Sequence, residues 1–114
     1  MGEALYGLFK DYQNGTLGAD AFNKAIKLER LIKDDTLNLR KKGNSHKVAL
    51  NIFNIMKKQP IVSMPDLAQK LNVTLHTVIR AIKQLEALDL VKEITDKKSN
   101  RLYSYKKYIY ILNE

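Results

Sequence analysis

Between positions 74 and 84 the chain sets six hydrogen-bonding side chains: Thr74, His76, Thr77, Arg80, Lys83 and Gln84. Val78, Ile82 and Leu85 recur through the same stretch at helical spacing, which predicts a helix over 75–87. The polar set is then left mostly on its other faces. Arg and Gln can each make paired hydrogen bonds to a base edge, while Thr, His and Lys can hold phosphate oxygens. A second cationic set, Lys97, Lys98 and Arg101, lies in and just after a polar turn. Groups of these types in this pattern suit recognition of a polyanion.

Bond-making chemistry finds no constellation to work with. There is no cysteine, so thiolate metal sites and disulfides are excluded, which fits a reducing cytoplasm. The two histidines, His46 and His76, are too far apart for a zinc site by spacing. No glycine-rich phosphate loop appears, and nothing places Ser, His and Asp together. The sequence therefore implies no catalytic residue, no metal ligand and no cofactor. No apolar run approaches the ~20 residues of a membrane span, and no secretory signal is visible at the N-terminus.

The elements that must position the polar set begin with a helix-turn-helix. Ser63 can cap a first helix, Pro65 suits its first turn, and Leu67, Ala68 and Leu71 share one face. Asn72, Val73 and Thr74 break the pattern. Asn tolerates the left-handed conformation of a tight turn, Val73 can plug the gap between the helices, and Thr74 can cap the second helix. In such a motif the second helix enters the major groove. A plain helical hairpin with a solvated polar face is the competing reading.

Around this pair, Val48, Ile52, Phe53, Ile55 and Met56 predict a core helix over 46–58, capped by Ser45 and stopped before Pro60. Ile61 and Val62 suggest a short strand. Residues 90–95 and 101–105 read as a hairpin across the turn at 96–100. The expected fold is thus mainly α with a small β wing at 90–106, a winged helix-turn-helix over 43–114. It is preceded by a helical extension over 1–42, with a short helix at 4–12 and a long one from about Asp20 to about Asn38. Ala21, Ala25, Leu28, Ile32 and Leu39 make the apolar stripe of the long helix. Glu29, Arg30, Lys33, Asp34 and Asp35 form its expected solvated side. Tyr103, Tyr105, Tyr108 and Tyr110 can stack on bases, but packing across the hairpin is the cheaper account.

Charge divides along the same line. Residues 1–39 carry five Lys/Arg against six Asp/Glu, and residues 40–114 carry fifteen against six. Basicity confined to the helix-turn-helix side points to an acidic partner, double-stranded DNA first.

Residues 59–62 (Gln-Pro-Ile-Val), 90–95 (Leu-Val-Lys-Glu-Ile-Thr) and above all 100–112 (Asn-Arg-Leu-Tyr-Ser-Tyr-Lys-Lys-Tyr-Ile-Tyr-Ile-Leu) resemble the C-terminal winged-helix module of Fic-family proteins. Residues 22–35 are similar to the last helix of the Fic catalytic core. Fic proteins transfer AMP from a nucleotide to a hydroxyl side chain through a His-Pro-Phe-x-(Asp/Glu)-Gly-Asn-Gly-Arg-x-x-Arg loop. Here His46 is followed by Lys47 and His76 by Thr77, so that loop is missing and the activity does not carry over. The resemblance implies a non-catalytic C-terminal portion. Two roles stay open: a DNA-binding regulatory module, or a protein-interaction or homodimerisation module that regulates or targets a Fic AMP-transferase domain. Leu75 and Ile79, apolar beside the polar set, favour the second.

Overall fold

The computed structural model describes residue 10 and residues 13–15, 18–95 and 101–114. Apart from residue 10, the short helix expected at 4–12 lies outside the described residues, as does the wing tip with Lys97 and Lys98. In order come α1 (Ala19–Arg40), a 3-10 turn (Gly43–His46), α2 (Lys47–Met56), β1 (Ile61–Ser63), α3 (Met64–Leu71), α4 (Leu75–Ala87), β2 (Val91–Glu93), β3 (Leu102–Tyr105) and α5 (Lys106–Leu112).

The turn between α3 and α4 is built by local chemistry. Ser63 Oγ accepts the Asp66 amide at 3.3 Å, and Pro65 occupies the first turn of α3. Asn72 closes α3 at φ 54°, ψ 48°, the left-handed region that Asn enters more easily than most residues. The Val73 amide then reaches back to the Ala68 carbonyl at 3.1 Å. Thr74 Oγ1 accepts the Thr77 amide at 3.2 Å and starts α4.

The strands pair antiparallel in the order β1-β3-β2. The register sets Val62 beside Tyr103 and Val91 beside Tyr105 on the inner face. Ile61, Ser104 and Lys92 make a row on the outer face. Against the inner face pack Ile52, Phe53 and Met56 of α2, Leu67 of α3, and Val78, Ile82 and Leu85 of α4. Three helices and a three-stranded sheet over one core make a winged helix-turn-helix, mainly α with a small β wing.

Two expectations need correction. Ser45 does not cap α2. It sits within the 3-10 turn, its hydroxyl 3.3 Å from the Lys42 carbonyl and 2.8 Å from His46 Nδ1, and α2 starts after it without a side-chain cap. Asp35 is not on a solvated side. It is 5% exposed and accepts a 2.5 Å hydrogen bond from the Tyr105 hydroxyl, itself wholly buried. Leu39, one turn later and 1% exposed, enters the same core. These two residues turn the end of α1 toward the sheet, while Lys27 pairs with Glu114 at 2.8 Å and Lys24 donates to the Leu112 carbonyl, holding α1 to α5. Among the tyrosines, Tyr103 and Tyr105 are buried and Tyr110 is 73% exposed.

Candidate nucleic-acid interface

The amphipathic pattern of α4 decides what the second helix can offer. Val78, Ala81, Ile82 and Leu85 are buried, so the opposite side of the helix faces solvent. His76, Arg80 and Lys83 are exposed there at successive spacings of four and three. On a 3.6-residue period that puts all three on one line down the helix. Neither Arg80 nor Lys83 has an ion-pair partner among the described residues. The line is cationic along most of its length and ends near an exposed acid, Glu86.

The other polar residues of the stretch flank this line. Thr74 and Thr77 are engaged with each other, their hydroxyls 2.9 Å apart, at the first turn of α4. That turn presents backbone N–H groups where an anion is favoured. Gln84 is half-buried near the far end, and its amide donates to the Ser45 carbonyl at 2.9 Å. It straps α4 to the 3-10 turn across 39 residues of sequence, a contact no local pattern could have signalled. The strap also explains how Ser45 is used once it is not a cap.

On the wing side, Arg101 is exposed, with Nε 3.6 Å from Glu93 Oε2 across the hairpin. Burial pushes the Tyr103 phenol above its ordinary value, and a hydrogen bond from Arg101 offsets part of that. Arg101 is thus oriented by its neighbours rather than free to swing. At the base of the hairpin Asp89, in a left-handed turn at φ 60°, pairs with Lys106 at 2.9 Å. The Lys106 ammonium holds the Asp89 carboxyl below the usual range, first by hydrogen bond and then by charge. Leu75 is 48% exposed at the start of α4 and Ile79 is half-buried, so the polar line has an apolar border.

No three His, Cys, Asp or Glu side chains come together as metal ligands among the described residues, and no described helix is long and apolar enough to cross a membrane. Residues 49–99 match a family model described as an HTH domain. The match runs from Ala49 in α2 through α3, α4 and β2 to Ser99. No curated protein matches the chain.

Proposed function

We propose that this chain binds double-stranded DNA as a winged helix with a regulatory role, α4 lying in the major groove and the wing at 90–106 lying over the backbone. The observation that carries the reading is the exposed line of His76, Arg80 and Lys83 on the second helix of a helix-turn-helix. Helices in that position show their N-terminal residues to base edges. In this reading Arg80 bonds both acceptors of a guanine edge, a contact worth ~1–3 kcal/mol of discrimination. Thr74 and Thr77 serve phosphates at the helix start. Lys97 and Lys98 serve phosphates from the wing; Arg101 joins them only by exchanging its pairing with Glu93, and Gln84 reaches DNA only by exchanging its bond to Ser45. Such contacts release condensed counterions, so affinity falls steeply with salt.

The test is fluorescence anisotropy with a labelled random duplex at about 50 and about 200 mM salt. Salt-sensitive binding, weakened by Arg80→Ala and by Lys97→Ala/Lys98→Ala, supports the reading. Binding that is absent at low salt, or flat between the two, refutes it.

The resemblance of residues 100–112 to the closing segment of Fic proteins supports placing the chain as a non-catalytic, cytoplasmic C-terminal portion of a Fic-like protein. Incubation with labelled ATP should then transfer no label. The exposed Leu75 beside the polar line favours one second reading, in which the α4 face contacts a protein and so regulates or targets a Fic AMP-transferase domain. That reading takes over if duplex DNA does not bind.

A further inference from the structure

On the outer face of the sheet, α1 and α5 leave an open groove of about 860 Å³. Leu31, Ile94, Ile109 and Ile111 line it, and Tyr110 stands at its edge. Ile94 is 46% and Tyr110 73% exposed. Single exposed apolar residues are ordinary, but two that border one apolar groove form a surface that excludes water when covered. Tyr also brings a rigid ring with a polar tip, the side-chain type enriched at protein contacts.

The rim of this groove is cationic. Lys27 and Lys106 are neutralised by Glu114 and Asp89 at 2.8 and 2.9 Å. Arg30, Lys92 and Lys107 also line the groove and have no ion-pair partner among the described residues. The sheet register explains Lys92: it lies in the outer row beside Ser104, with Ile94 two residues on along the same face. An apolar floor between unpaired cations selects its occupant by charge. A second copy would bring the same unpaired cations against these. The DNA backbone would satisfy the cations and leave the floor uncovered.

We infer that this groove docks an acidic amphipathic helix of a partner protein, with apolar side chains on the floor and carboxylates against Arg30, Lys92 and Lys107. An amphipathic helix in a groove reads as anchors at i, i+3 or i+4 and i+7. No residue of α4 lines the groove, and although Lys92, Ile94, Ser104 and Lys106 belong to the wing, Leu31, Ile109, Tyr110 and Ile111 do not, so this inference goes beyond the DNA reading and does not need it.

The experiment uses the full chain and a labelled peptide of about four helical turns, leucines on one face and glutamates elsewhere. Two control peptides replace glutamate by lysine, or leucine by glycine. Vesicles of anionic phosphatidylglycerol form a third arm. The Leu/Glu peptide should bind and the controls should bind about tenfold more weakly or worse. Tyr110→Ala and Ile94→Ser, both at exposed positions, should each weaken the Leu/Glu peptide about tenfold. Arg80→Ala should leave it unchanged, and Tyr110→Ala should leave duplex binding unchanged, so that the two readings fail separately. No binding of the Leu/Glu peptide at low salt overturns the inference. Equal binding of the Gly/Glu peptide overturns it too, because charge alone would suffice. Vesicle binding without peptide binding gives the groove to a lipid surface, and a dimer broken by Tyr110→Ala gives it to a second copy; either outcome overturns it.

Discussion

Tyr105→Phe isolates one hydroxyl at the junction between α1 and the sheet. The Tyr105 ring meets Phe53 edge-on at 5.0 Å between centroids and lies tilted on Tyr108 at 5.7 Å. Phenylalanine keeps both contacts and loses only the hydrogen bond to Asp35. A hydrogen bond to a charged group contributes about 1.5–3 kcal/mol, and its loss leaves a buried carboxylate short of a partner. Asp35 also borders a cleft lined by Lys41, Lys42 and Lys107, where water and ammonium groups can partly replace the hydroxyl. The cost should therefore fall near the middle of that range, about 2 kcal/mol. For a domain of this size that lowers Tm by about 6–12 °C. Urea unfolding measures it directly. In Asp35→Asn/Tyr105→Phe no charge is stranded, so the double variant should lose less than the two single variants together. The pH dependence gives a second handle. Burial, and then the Asp35 bond and charge, push the Tyr105 phenol far above its ordinary value. Above about pH 10 the unfolded chain releases this proton while the folded one keeps it. Stability then falls as pH rises, by up to about 1.4 kcal/mol per pH unit for this group, and below that window the group contributes no slope. Tyr105→Phe should fall less steeply between about pH 9 and about pH 11, with Tyr103, also raised by burial, accounting for part of what remains. A cost below about 0.5 kcal/mol, additive single variants, or equal alkaline slopes would refute this account of the junction.

Leu39→Ala, at 1% exposure in the core, should cost about 2–5 kcal/mol by calorimetry or denaturant; a loss below about 1 kcal/mol would show that α1 does not brace the core. Asn72 at φ 54° should accept Gly with no loss, whereas Asn72→Val should cost about 1–2 kcal/mol or more in the same assay. Thr74→Ser should keep the cap of α4 and Thr74→Val should lose about 1 kcal/mol of stability. Equal stability of those two variants would mean that the 3.2 Å bond to the Thr77 amide contributes nothing.

Where the determinant of an element was local, the sequence could be read directly. Ser63, Asn72 and Thr74 each act on neighbours within five residues, and their types alone locate the turn between α3 and α4. The hairpin and the apolar stripe of α4 follow from periodicity in the same way. What escaped depends on contacts far apart in the chain. Asp35 sits among Lys33, Asp34 and Thr36, a local pattern indistinguishable from a solvated face, and its burial is made tolerable by the hydroxyl of Tyr105, 70 residues on. Gln84 looked like one more polar residue of the exposed helix until the Ser45 carbonyl, 39 residues back, engaged it. The outer groove was illegible for a related reason. Ile94 belongs to the wing in sequence and Ile109 to the segment after it, and the sheet and α1 bring them to one place.

The same limit applies to net charge. A formal +8 invites the reading that the whole molecule is an anion-binding surface, yet the cations are spent differently from place to place. Lys27, Arg101 and Lys106 face carboxylates within the chain, and Lys70 donates to Gln59. Arg80 and Lys83 lie along α4, while Arg30, Lys92 and Lys107 line the groove on the outer face of the sheet. Long-range attraction to a polyanion sums over all of them. Docking does not, because a contact needs a cation that is unpaired and on the docked face. Total charge therefore bears on how fast DNA or an acidic peptide is met. The division of unpaired cations between α4 and the groove bears on what each face can hold, and that division follows from the register of β2 on β3 and the packing of α1 on α5.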